Sequence, residues 1–201
     1  MKKKFLTVLT ITLLITLTGC RNQSDVLDKF IGQWTDTGYI NEELNFSFVT
    51  PEGAVLATPS ELAELEAART SGLTQEQINQ LHPMRHVLFA TFPDTNVSVY
   101  VQVEYLRDRD ILDINLYLDN VEYVNSQNQM FELVFHERYP ARIAGQEYLV
   151  LPIEIRGTNF IQMVYVRQEG YYIISFILVY DRETEHLAVD LLRAFQALET
   201  E

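Results

Sequence analysis

Apolar residues alternate with polar ones in several short stretches of this chain and recur every three or four residues in others, and these two periods set most of its predicted elements. Leu44, Phe46 and Phe48 alternate with Asn45 and Ser47, which predicts a half-buried strand stopped by the Pro51-Glu52-Gly53 turn. Thr58, Pro59 and Glu61 carry the pattern of a capping box with proline at the first helical position, so a helix is predicted over 59–70, with Gly72 just beyond it. Thr74 and Gln77 stand in the same relation ahead of a short helix over 75–81. Strands follow over 86–92 and 97–105, joined by the turn Pro93-Asp94-Thr95-Asn96. In the second, Val97, Val99, Val101, Val103 and Tyr105 share one face while Ser98, Tyr100, Gln102 and Glu104 share the other, which predicts one packed face and one wetter face.

Asp110 is the expected cap of a helix reaching about residue 125, with Ile111, Ile114, Leu118 and Val121 on one stripe. The last third predicts four strands, over 130–137, 147–155, 160–167 and 171–180, with turns at Ala144-Gly145, Gly157-Thr158 and Glu169-Gly170. Ser175 is the one small polar residue between Tyr171 and Tyr180, a composition suited to a central strand covered on both faces. Pro152 lacks a ladder donor, so its strand is expected at an edge or with a bulge. A final helix over about 184–198 would place Leu187, Leu191, Leu192, Phe195 and Leu198 on one face. The fold class expected is α+β, a single mainly antiparallel sheet with helices packed on it, over residues 38–201.

The N-terminus has a different grammar. Lys2, Lys3 and Lys4 precede fourteen residues, Phe5 to Thr18, drawn from Phe, Leu, Val, Ile and Thr alone, and Gly19 and Cys20 follow. As a helix this run spans only ~21 Å of a ~30 Å hydrocarbon core, so residues 1–19 read as a signal peptide and not a permanent span. The sequence Leu17-Thr18-Gly19-Cys20 resembles the bacterial lipobox, which implies a diacylglycerol on the Cys20 thiol, cleavage before it, and residence on the outer face of the cytoplasmic membrane. Two acyl chains at ~0.8 kcal/mol per methylene give on the order of 20 kcal/mol of gross partition energy, enough to hold the protein without a basic patch. The membrane, through Cys20, is therefore the first expected partner. Residues 20–37 would be the lipidated cysteine and a tether, although Phe30, Ile31 and Trp34 are more apolar than a spacer needs; they either pack on the domain or meet a partner.

Removal of residues 1–19 takes the chain from 201 to 182 residues and its net charge from −13 to −16. One domain of that size can bury roughly 70% of its unfolded surface and needs no disulfide. With Cys20 the sole cysteine, none can form within the chain. The acidity excludes nucleic acid as a partner, because phosphate binding requires clustered Lys and Arg. It also leads one to expect a body that stands off an anionic bilayer on its tether.

The order of the stretches "GYINEELNFSFVTPEG", "GQEYLVLPIEI", "FIQMVYVR", "GYYIISFILVY" and the "LLRAF" helix resembles small Firmicute lipoproteins of unassigned activity whose domain is similar to the PsbP-like α/β/α sandwich. The resemblance covers most of residues 38–198. It implies an architecture and an accessory or binding role, and brings no catalytic residues or cofactor with it.

Candidate chemistry is sparse. His82 and His86 have a zinc-like spacing, but Pro83 intervenes and a strand is predicted at His86, which breaks the shared helical face. His136 and His186 stand alone and read as structural. No Gly-x-Ser-x-Gly elbow or glycine-rich phosphate loop is present. Glu42-Glu43 read as solvated turn acids, and Asp108, Asp110 and Asp113 lack the glycine of a calcium loop. No metal or cofactor is expected. Tyrosines concentrate in the C-terminal strands, and Tyr148, Tyr165, Tyr171 and Tyr172 are a candidate binding face for an envelope protein, peptide or glycan, weighed against ordinary strand packing. The expected function is a non-enzymatic binding or accessory module of the cell envelope. The alternative is an envelope enzyme, hydrolase-like, with a site assembled from residues distant in sequence, for which a concave pocket with converging acids, or His82 beside His136, would be the sign.

Overall fold

A computed structural model describes residues 25–106, 113–127 and 131–198. In chain order the elements are α1 (Asp25–Asp28), β1 (Gln33–Thr35), β2 (Gly38–Asn41), β3 (Phe46–Val49), β4 (Val55–Leu56), α2 (Pro59–Thr70), α3 (Gln75–Gln80), β5 (Met84–Thr91), β6 (Ser98–Tyr105) and α4 (Ile114–Ser126). There follow β7 (Leu133–Phe135), β8 (Tyr139–Ile143), β9 (Gln146–Ile155), β10 (Phe160–Glu169), β11 (Tyr172–Asp181), a 3₁₀ turn over Arg182–Thr184, α5 (Glu185–Arg193) and β12 (Phe195–Ala197).

The strands form two sheets, not the single sheet expected. The larger has the order β4-β5-β6-β11-β10-β9-β7, with β8 also on β9; the smaller is β1-β2-β3-β12, and every described pairing is antiparallel. The second sheet is built on the β1-β2-β3 meander and gains β12 as its edge because the predicted final helix stops at Arg193. Phe195, placed on that helix by its spacing from Leu191 and Leu192, instead begins β12 opposite Phe48. Val49 N–H donates to Ala194 O at 3.0 Å, which starts the pairing. Gly38 is required where β2 meets β3, since a Cβ there would fall 1.8 Å from Phe48 O.

Both helix caps predicted near residue 60 form. Thr58 Oγ1 accepts from Glu61 N–H and the Glu61 carboxylate accepts from Thr58 N–H, and Thr74 and Gln77 repeat the reciprocal bond. α4 is capped by Asp113, whose carboxylate accepts from Asn115 N–H at 2.8 Å; Asp108, Asp110 and Ile111 lie outside the described residues. The strand expected from Leu44 begins at Phe46, because Asn45 takes φ 55° in the tight turn out of β2. Ala144 and Gly145, at φ 47° and 76°, make the two-residue turn of the β8–β9 hairpin. Pro152 sits in neither an edge strand nor a bulge. Its carbonyl accepts from His136 N–H, so its nitrogen faces the same flank, at the break where the neighbour of β9 changes from β7 to β8.

Central strand β11 lies between β6 and β10 with both faces covered, as its composition predicts. One face of the large sheet, including Val99, Val101, Val103, Ile174 and Phe176, packs against the small sheet, α1 and α5. On the other, Leu151, Ile153, Val164, Val166 and Ile173 pack against Tyr117, Leu118 and Val121 of α4. Part of the expected tether is built into the first of these layers. Leu27 and Phe30 are 2% exposed, Asn41 Nδ2 donates to Phe30 O at 2.8 Å, and Trp34 Nε1 donates to Ala57 O at 2.9 Å. Of the two readings for these aromatics, packing on the domain is the one observed for Phe30 and Trp34, while Ile31 is 49% exposed. The domain therefore begins before Gly38, and residues 25–37 of the stretch expected as a tether belong to it.

Candidate functional site

The polar face of β6 is where the structure departs furthest from expectation. Ser98, Tyr100, Gln102 and Glu104 are buried, not wet, because α2 and α4 cover the face that β6 shares with β11. A continuous strip of hydrogen-bonding side chains is thus enclosed, with Ser175 of β11 opposite Gln102 on one side and His86 of β5 opposite it on the other. Enclosure makes each group's partner obligatory, since an unpaired buried polar group costs roughly 1–3 kcal/mol.

Glu104 is the hub. Its Oε1 lies 2.8 Å from His82 Nδ1 and its Oε2 accepts from the Tyr117 hydroxyl at 2.8 Å. An ionised carboxylate only accepts, so Nδ1 of His82 carries the proton in this pair. Burial, together with the neighbouring Glu104 carboxylate, holds the Tyr117 phenol well above its ordinary value, which keeps it a donor. Three distant segments meet here: the loop before β5, the end of β6 and the first turn of α4. The geometry orients an imidazole through a carboxylate, as a proton relay would. However, His82, Glu104 and Tyr117 are all enclosed, so the arrangement offers no ring nitrogen to a substrate.

Beside this triad lies a second group, under α2. The inward stripe of α2 is Leu62, Leu65, Glu66, Arg69 and Thr70, apolar at its start and charged further on. On the side away from β6, the Met84–Leu88 portion of β5 has no strand partner among the described residues, and the Glu66 carboxylate accepts from His86 N–H there, so the helix shields an open sheet edge. Arg69 Nε, His86 Nδ1 and the Tyr100 hydroxyl are buried without a protein partner. Burial, with Arg69 adding to it, pulls the His86 imidazole down to about 4. Burial likewise pushes the Glu66 carboxyl up, against Arg85 and Arg69.

The depressed histidine gives a pH dependence of fixed sign. Above the ordinary histidine value of about 6.5, folded and unfolded chains both keep His86 neutral. Below it the unfolded chain takes up a proton that the folded chain refuses until about pH 4. Its contribution is therefore lost as pH falls through that window, by roughly 2 kcal/mol at about pH 4.5. Urea midpoints measured at neutral and mildly acid pH should show this loss, and a His86→Gln variant should show a flatter profile than the parent.

The residues singled out from sequence scatter. Tyr148 and Tyr165 are core residues: Tyr148 packs edge-on against Phe176 at 5.2 Å, and its hydroxyl accepts from Arg167 Nε at 3.1 Å. Tyr172 is half-buried against Phe30 at 4.8 Å, and Tyr171 alone of the four is exposed. The four do not make the exposed binding face expected, because Tyr148, Tyr165 and Tyr172 point to the side that the small sheet and α1 cover. His82 and His136 are not brought together; they stand toward opposite edges of the large sheet, with His136 Nε2 3.4 Å from Glu154. His186 is exposed on α5, and Glu43 pairs with Lys29. Among the described residues no three His, Cys, Asp or Glu side chains form a metal set, and no helix is long and apolar enough to cross a membrane. Cys20 lies outside the described residues.

Glu104, Tyr117 and Arg69 were not foreseen as a site. A signal for them existed: Tyr117 sits within the apolar stripe of α4, one residue before Leu118, so any helix burying that stripe carries its hydroxyl onto the sheet.

The fold is similar to that in the solution structure of cyanobacterial PsbP (CyanoP) from Synechocystis sp. PCC 6803. The match covers 82% of this chain and 95% of that one, at 12% sequence identity and a TM-score of 0.50. At that identity the likeness establishes a PsbP-like fold and nothing further. No family model matches the chain, and no curated protein matches it.

Proposed function

We propose that the protein is a lipid-anchored module of the bacterial cell envelope, of the small Firmicute lipoprotein kind, which acts on the outer face of the cytoplasmic membrane by binding another envelope protein, a peptide or a glycan. The observation that carries the reading is the sole cysteine, Cys20, at the end of Leu17-Thr18-Gly19-Cys20 after a fourteen-residue apolar run. The acidic body supports it, as does a PsbP-like scaffold whose assembled titratable groups are enclosed. The intact mass of the native protein, with fractionation of the parent and of Cys20→Ser, tests the anchor: the mature chain should begin at a diacylated Cys20, and the serine variant should leave the membrane pellet. A bare Cys20, or a serine variant that stays in the pellet, overturns it. Crosslinking in cells tests the binding role, which fails if the domain has no partner and turns over an envelope substrate.

A second reading, an envelope hydrolase, is favoured by the meeting of His82, Glu104 and Tyr117 from distant segments. It requires α2 or α4 to lift and expose His82 to substrate.

A further inference from the structure

The lipidation site and the folded domain are separated by very little chain. From Cys20 to Asp25, where α1 begins, there are five residue steps. At ~3.5 Å per fully extended residue this is a reach of ~18 Å at most. The domain itself has a radius of gyration of about 16 Å for its length, and so a diameter well beyond that reach. The start of α1 therefore cannot leave the bilayer surface by more than about half the width of the domain, whichever way the body turns.

α1 does not peel away freely to lengthen this link. Phe30 is locked edge-on against Tyr172, Asn41 holds Phe30 O, Tyr39 Oη accepts from Gly32 N–H at 2.7 Å, and Asp28 pairs with Arg85 at 2.7 Å. These contacts fix α1 at one pole of the large sheet, where β6 ends at Tyr105 and β11 begins at Tyr172. Flanking the Phe30–Tyr172 pair in sequence are Ile31, 49% exposed, and Tyr171, 40% exposed. Among the described residues the nearby cations each hold an acid: Lys29 with Glu43, Arg85 with Asp28, Arg167 with Glu169. An aliphatic side chain and a tyrosine on a charge-compensated surface suit the headgroup boundary, where apolar bodies with polar tips settle.

We infer that this pole, through Ile31 and Tyr171, is laid against the bilayer, so that the domain is held flush and in one orientation and does not stand off on a tether. The inference rests on the lipid anchor proposed above. The partner is the lipid surface itself, and because Lys29, Arg85 and Arg167 are each paired with an acid, contact should form on zwitterionic membranes without anionic lipid. The opposite pole, with the Pro93–Asn96 turn, then faces outward and is what a second envelope component meets first.

Depth-dependent quenching tests this on the full lipidated chain in phosphatidylcholine vesicles that carry headgroup spin labels. Cys20 is consumed by lipid, so an introduced thiol is unique. A fluorophore at Glu42→Cys, on the exposed turn beside Glu43, should be quenched several-fold more than one at Asn96→Cys. That difference should survive insertion of a flexible Gly-Ser segment of about twenty residues after Ser24. It should vanish when the insertion is combined with Ile31→Ser and Tyr171→Ser. Equal quenching at both sites overturns the inference, and loss of the difference on insertion alone reduces it to tether length and overturns the contact. Vesicle co-sedimentation, run in parallel, separates failure of the anchor from failure of the contact: protein that does not pellet refutes the anchor, and protein that pellets without differential quenching refutes only the contact.

Discussion

Glu104→Ala should lower the free energy of unfolding by about 2–6 kcal/mol, from removing the acceptor of two buried donors at roughly 1–3 kcal/mol each. The magnitude follows from what the substitution leaves behind. Without the carboxylate, the Nδ1–H of His82 and the hydroxyl of Tyr117 both lose an acceptor 2.8 Å away, in a buried layer. Burial strongly disfavours ionising Tyr117, so the phenol stays a donor, with the Ser175 hydroxyl as its remaining side-chain neighbour. Arg69 also loses a carboxylate that offsets the burial pulling its guanidinium down. Tyr117→Phe keeps the ring and removes one donor, and should cost about 1–3 kcal/mol. Equilibrium denaturation in urea measures both, and an unchanged slope with a lowered midpoint is the expected form. The double variant should cost less than the sum of the two, because the Glu104–Tyr117 hydrogen bond is broken by either substitution and can be lost only once. A Glu104→Ala loss below about 1 kcal/mol would remove the carboxylate from its place as the hub of the layer.

That hub was hidden for a physical reason. Strict alternation in β6 correctly assigns Ser98, Tyr100, Gln102 and Glu104 to one face, but alternation reports which residues share a side, not what lies on it. A helix such as α4, with Tyr117 among its apolar contacts, covers a mixed face as readily as an oily one when hydrogen bonds close across the gap. The capping boxes of α2 and α3 were legible because their information is local, within four residues. The β11 strand was legible because an unbroken apolar run has few other uses. β8 was missed because Pro140 and an exposed, mixed pattern hide a strand that only β9 defines. β12 was missed because its three residues continue a convincing helical stripe, and only the approach of Phe48 turns Phe195 into a strand residue. The tyrosines were misplaced for a related reason. Their side was identifiable from parity, but the small sheet that covers it is built from residues remote in the chain.

Phe176→Ala should be comparably damaging, about 3–5 kcal/mol, and its damage should fall on the joint between the sheets. The ring is 1% exposed on β11 and meets Phe46 at 5.7 Å, Phe195 at 4.8 Å and Tyr148 at 5.2 Å, with interplanar angles between 61° and 78°. Phe46 and Phe195 belong to β3 and β12 of the small sheet, and Tyr148 to β9 of the large one, so a single side chain is the edge-to-face partner of both layers. Each such pair adds about 0.5–1.5 kcal/mol beyond the area it buries, and truncation also opens a cavity that rings of this size cannot collapse into. The small sheet has short strands and relies on this packing, whereas the large sheet has long ladders of its own. Amide exchange should therefore rise first at Phe46–Val49 and Phe195–Ala197, while β6, β10 and β11 stay protected. Phe176→Leu, which refills most of the volume, should lose markedly less. Uniform loss of protection across both sheets would instead mean that the two layers open as one unit, and that the small sheet is held by more than its aromatic contacts.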